Sequence, residues 1–200
     1  MKNQIWLVIF VSVIFIALQM LSDILSLRII NIAGLSIDGG TIIYPLVFTV
    51  RDLFHKIAGK NNSRFIVILA AFVNVFMVAL FWLIASLPAD LSIGEQREFG
   101  LVLLPSWRIV VASIVAEIVA GLLDGEIYSL WERHFRNKKL WGRVLFSNLI
   151  SIPTDSAIFV FIAFLGTMPL AIVLSILLSN IIVKFFIGTL SLPIIYATKT

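Results

Sequence analysis

The sequence predicts an all-α, polytopic integral membrane protein, a bundle of six transmembrane helices with both termini in the cytoplasm. Three observations carry that prediction: an apolar excess that no soluble core can hide, apolar runs of bilayer length, and a lopsided distribution of loop charge. Of the 200 residues, 60% are hydrophobic and 13% charged, against about 45–50% and about 25% in soluble domains. Mean hydropathy is +1.09. Lipid solvates apolar side chains without a core, so insertion removes the excess. No hydrophilic stretch is long enough to fold separately, and residues 1–200 are expected to form a single transmembrane domain.

A hydrocarbon layer about 30 Å thick needs about 20 apolar helical residues. The first span is read at 5–21, extending toward 27; Ser22-Asp23 follows it instead of an A-x-A-like cleavage site, so it is expected to be a retained helix. The second, 37–54, opens with Asp38-Gly39-Gly40, carries Pro45 inside and ends at Arg51-Asp52. The third, 65–87, is uncharged and stops at Pro88. The fourth, 107–130, holds Glu117 and Asp124; the fifth, 144–165, holds Asn148, Pro153 and Asp155; the sixth, 168–196, holds Asn180 and Lys184.

Orientation follows from the loops. His55, Lys56, Lys60 and Arg64 crowd the second, and Arg133, Arg136, Lys138, Lys139 and Arg143 the fourth. The third sets Arg97 against Asp90, Glu95 and Glu98, and the fifth is uncharged. The positive-inside rule therefore puts loops two and four in the cytoplasm, with Arg28 the one dissenting charge. The formal net charge of +4 thus reports topology rather than nucleic-acid binding. The absence of cysteine excludes disulfides, thiol catalysis and Cys-ligated metal. His55 and His134 read as solvated loop residues, with no carboxylate spaced to complete a metal site.

Charges within the hydrocarbon are the informative residues, because each costs about 2.5–3.5 kcal/mol to insert and needs a partner or a polar cavity. Glu117, Asp155 and Lys184 lie near mid-span; Asp52 and Asp124 lie nearer the cytoplasmic ends; Asp23, Arg28 and Arg108 lie toward the outer surface. Glu117 and Asp124 stand two turns apart on one helix face. Asn148, Ser151 and Asp155 form a second stripe, and Asn180, Lys184 and Ser191 a third. Such stripes face the bundle interior, and Pro45 and Pro153 are placed to free backbone carbonyls beside them. A buried pair of Lys184 with Asp155 or with Glu117 reads either as a lock between helices or as part of a pathway; charges on several helices together favour the pathway. Phe159, Phe161, Phe164, Phe185 and Phe186 read mainly as lipid contacts, with one or two available to stack on a flat ligand.

Four stretches carry a family resemblance. YPLVFTVRDLFHKIAG (44–59) is similar to the Pro-x6-Asp-x6-Gly signature of the queuosine precursor transporters, the vitamin uptake transporter family. RIVVASIVAEIVAGLLDGEIY resembles that family's fourth helix, matching Arg108 and Asp124. WGRVLFSNLISIPTDSAIFVFIAFLG resembles its Arg…Asp-[Ser/Thr]-x-x-Phe…Ile-Ala-Phe-x-Gly block, placing Arg143, Asp155 and Phe159; Lys184, Pro193 and Tyr196 match the last helix. The chain departs from the pattern at Asp23 (or Ser22) and Arg28, where the family often has Asn and Lys, at Ser151-Ile152-Pro153-Thr154, where a Gln is common, and at Glu117.

The resemblance, over about residues 20–197, implies import of a 7-deazapurine such as preQ0, preQ1 or queuine by alternating access, with no chemical reaction and no cofactor. It implies a substrate site among Asp52, Arg108, Glu117, Asp124, Asn148, Asp155 and Lys184. A carboxylate accepts the adjacent N–H donors of a guanine-like edge, Arg108 or Lys184 donates to its carbonyl, and Asn148 suits either edge. The expected partners are that small molecule and the lipid bilayer, as a monomer or a homodimer. A substrate-binding subunit of an ATPase-driven vitamin importer is the alternative. An intramembrane enzyme is disfavoured, since HExxH, GxSxG and paired-aspartate motifs are absent.

Overall fold

The computed structural model describes the backbone of residues 2–135 and 140–197, and within it the side chains of residues 5–51, 53–55, 57–59, 61–120, 123 and 149–187. The chain is mostly helical: α1 (Lys2–Leu25), α2 (Tyr44–Ala58), α3 (Lys60–Ser86), α4 (Arg97–Leu103), α5 (Ser106–Phe135), α6 (Leu140–Phe164) and α7 (Leu170–Ala197). Among the described residues, four stretches are long and apolar enough to cross a membrane: Ile5–Leu25, Asn61–Ser86, Arg97–Ala120 and Leu170–Ile187. Leu149–Phe164 of α6 is a shorter apolar stretch. Burial follows the logic of a lipid-facing protein. On α3, Phe72 and Trp82 are 66% and 70% exposed whereas Asn74 is 2% exposed, the reverse of what water would select.

Two expectations need correction. The fold is not wholly α: β1 (Ile29–Ile32) and β2 (Leu35–Asp38) form a small hairpin after α1. Its two turn residues, Ala33 (φ 53°) and Gly34 (φ 85°), both adopt positive φ, as the primed turns that match strand twist require. The second predicted span is the other correction. Residues 37–43 are the end of β2 and a 3-10 turn (Gly39–Ile42), and α2 begins only at Tyr44. Pro45 therefore sits at the start of the helix, not inside it. There its missing N–H is one that the first turn leaves unpaired anyway, so it opens no gap in the helix. With 15 residues, α2 is roughly 22 Å long at 1.5 Å per residue, shorter than the hydrocarbon. Pro153, by contrast, does lie inside α6; lacking an N–H, it cannot serve the carbonyl of Leu149 one turn back.

The chain divides into two compact units, Met1–Ile29 with Asp38–Val110, and Ile30–Ile37 with Val111–Thr200. In the first, α1, α2 and α3 pack around Val11, Phe15, Val47, Phe54, Ile66 and Ala70. Gly59 (φ 82°) alone separates α2 from α3; a conformation that favours glycine makes that sharp corner. Gly40 brings the 3-10 turn onto α1, where a Cβ would stand 2.0 Å from Ser26 Oγ and 2.4 Å from the Ser22 carbonyl oxygen. In the second unit, α6 and α7 pack closely, burying Val160, Ala163, Val173 and Ile176. The hairpin is fastened to α7: the Ser36 amide donates to Ser175 Oγ (2.8 Å), and Ser179 Oγ donates to the Ser36 carbonyl (2.8 Å).

Candidate functional site

In the second unit the polar stripes of α6 and α7 meet. Ser151, Asp155 and Ser156 of α6 are buried, as are Ser179, Asn180 and Lys184 of α7. Ser151 and Asp155 stand four residues apart, as do Asn180 and Lys184, which keeps each pair on one face of its helix. Lys184 Nζ donates to Asp155 Oδ2 at 2.5 Å, with only 5% and 7% of the two side chains exposed. A charge pair so enclosed escapes the screening that weakens surface ion pairs. Phe159, one turn beyond Asp155, has its ring centroid 5.9 Å from Lys184 Nζ and meets Phe164 edge-on at 6.0 Å. Ser156 is fully buried, and its Oγ has no hydrogen-bond partner among the described residues. An ion pair, an aromatic face and an unmet hydroxyl therefore lie side by side. Together they offer donors, acceptors and a flat apolar surface to a polar, planar solute.

A second polar cluster lies in the first unit. Gln19, Ser22, Asp23 and Ser26 repeat at i, i+3, i+4 and i+7 on α1 and are all buried. Asp38, 1% exposed, accepts from Ser26 Oγ (2.8 Å), the Thr41 amide (3.1 Å) and Thr41 Oγ1 (2.6 Å). These donors satisfy a carboxylate that burial alone would penalise. Ser22 Oγ donates to the Gly40 carbonyl (3.2 Å), completing the seam. Further along, Asn74 of α3 donates through Nδ2 to Asp23 Oδ2 at 2.6 Å.

Of the residues expected to form the site, the structure brings Asp155 and Lys184 together, one of the two pairs the sequence allowed Lys184. Arg108 and Glu117 are half-buried on α5, and neither stands free. The side chains of Asp52, Asp124 and Asn148 lie outside the described residues, as do those of Arg143 and Ser191. The sequence reading gave no role to Asn74, and of the stripe on α1 it singled out Asp23 alone, as a charge toward the outer surface. Both left a signal: Asn74 is the one amide in 65–87, and the α1 residues carry a helical repeat.

Comparison with known proteins decides the family. The model of the family described as "Putative vitamin uptake transporter" matches residues 38–198. The chain belongs to the vitamin uptake transporter family. It is also 30% identical over 179 residues to a protein of Bacillus subtilis (strain 168) named "Probable queuosine precursor transporter", covering 86% of this chain and 76% of that one. No solved structure matches it. As a vitamin uptake transporter it is a multi-pass protein of the cell membrane that carries a small molecule, and it is not an enzyme. The matched residues include the 3-10 turn, Pro45, Pro153, Asp155 and Lys184.

Proposed function

We propose that this transporter imports a queuosine precursor, a 7-deazapurine such as preQ0, preQ1 or queuine, by alternating access. The buried Asp155–Lys184 pair beside Phe159 carries the reading. A guanine-like base presents adjacent N–H donors, a carbonyl acceptor and a flat face. A carboxylate, an ammonium and an aromatic ring are the complementary set. The pair is poised for exchange: cargo takes the place of each charge's partner, and release lets the pair reform. Burial in the empty carrier is thereby tolerated without a ligand. The name of the Bacillus relative supports the choice of cargo.

The proposed carrier is a single domain of six spans with both termini cytoplasmic. The basic loops support that orientation. For the count, α6 has 25 residues, or about 37 Å of helix. The 3-10 turn at Gly39–Ile42 leads into α2 and, at 2.0 Å per residue, contributes about 8 Å to the span counted second. Asp52, Arg108, Glu117, Asp124 and Asn148 complete the proposed site with Asp155 and Lys184. A monomer and a homodimer serve this mechanism equally, and nucleic acid has no part in it.

The test is uptake of labelled preQ1 by cells that lack a transporter of their own and express this chain. Saturable uptake, competed by unlabelled queuine, is expected. Its absence would end the assignment of cargo, and co-purification of an ATPase would move the protein to the subunit of an energised importer.

A further inference from the structure

We infer that Asp23 and Asn74 form a second binding site, one for a monovalent cation, in the first unit. Asp23 is 2% exposed and Asn74 is 2% exposed, and the Asn74 amide donates to Asp23 Oδ2 at 2.6 Å. That bond fixes which way the amide faces: turned over, its oxygen would oppose a carboxylate oxygen. Asn74 Oδ1 is consequently held as a buried acceptor, and it has no hydrogen-bond partner among the described residues. In water such a group is solvated at no cost; inside a membrane protein an unmet acceptor is destabilising. Phe72 and Phe76, two residues to either side on α3, are exposed and apolar, whereas the buried position between them holds an amide.

The ligand follows from what Asn74 Oδ1 lacks. Carboxylate and amide oxygens are hard acceptors, and one of the amide's two N–H donors is already engaged with Asp23. A group that satisfies Oδ1 beside a carboxylate must bring positive charge or a polarised N–H, and charge makes the contact stronger. Gln19, one turn before Asp23 on the same buried face, adds a third side chain able to present an oxygen. Two sources supply this chemistry: a sodium ion, or the protonated amine of a cargo such as preQ1. The amine source rests on the proposed function; the sodium source does not.

The experiment is thermal unfolding of the detergent-purified full chain with sodium chloride against choline chloride at equal ionic strength, and separately with preQ1 against preQ0, whose nitrile carries no cation. A ligand that binds the native state raises the unfolding temperature by mass action. Asn74→Ser keeps a small polar side chain and removes the amide oxygen, and Asp23→Asn removes the charge; gel filtration checks that each variant folds. Stabilisation by sodium but not choline, weakened about tenfold in apparent affinity (~1.4 kcal/mol) in Asn74→Ser, assigns the ion. Stabilisation by preQ1 well above preQ0, weakened likewise, assigns the amine. If preQ1 and preQ0 stabilise the wild type and Asn74→Ser alike and sodium does nothing, the cargo reading stands and this site is overturned. If sodium stabilises through Asn74 while no deazapurine binds, the site stands and the cargo reading falls. No response to either probe in the wild type overturns the site.

Discussion

Lys184→Met separates a structural lock from a working charge. The pair is held at 2.5 Å with both side chains almost wholly enclosed, an attraction of roughly 7 kcal/mol at an effective dielectric near 20. Removing two ions from water costs several kcal/mol each, so the intact pair nets close to zero. Deleting only the ammonium leaves Asp155 as a buried, unmatched carboxylate, and such single deletions cost about 3–5 kcal/mol. The double variant Asp155→Leu/Lys184→Met removes both desolvation penalties and is expected within ~1 kcal/mol of the wild type or above it. Equilibrium unfolding in mixed dodecyl maltoside–SDS micelles reads these differences, and deazapurine binding is measured on the same three proteins. The expected pattern is a destabilised single variant, a recovered double variant, and loss of binding in both. A single variant as stable as the wild type would refute the burial argument. A double variant that still binds cargo would refute the role of the pair in transport.

Other outcomes follow from particular contacts. Gly40→Ala places a methyl 2.4 Å from the Ser22 backbone oxygen, which has little room to yield, so unfolding stability falls by about 1–3 kcal/mol; an unchanged unfolding temperature would contradict the close seam between α1 and the 3-10 turn. Removing both hydroxyls that hold Ser36, in Ser175→Ala/Ser179→Ala, costs about 2 kcal/mol together and speeds amide exchange in the hairpin by about thirtyfold, read by mass spectrometry on residues 29–38. Because the chain has no cysteine, Ser92→Cys and Asn61→Cys each introduce one thiol at an exposed position. An impermeant maleimide should label the first in intact cells and the second only after permeabilisation; the opposite pattern inverts the proposed orientation.

How much of this was legible in the residues differs from element to element. α1, α3 and α7 announce themselves because lipid imposes a length and an apolar composition, and neither depends on which helix is a neighbour. The stripe of Ser151 and Asp155 could be assigned to the interior for the same reason, since hydrocarbon cannot solvate it. The start of α2 was misplaced because a run of apolar residues around Gly39, Gly40 and Pro45 looks like one helix when only hydropathy is counted. The backbone there turns through β2 and a 3-10 segment before the helix starts, a path set by Asp38's bonds to Ser26 and Thr41.

By itself, then, the sequence determined the membrane as solvent, the spans of unbroken apolar length and which helix faces turn inward. Each of these is a one-dimensional property, a matter of composition and period. Only the tertiary structure decided that Lys184 answers Asp155, that Asn74 meets Asp23 across 51 positions, and that a hairpin clasps α7. Pairing energy depends on the distance between atoms on different helices, and no spacing along a single helix encodes that distance.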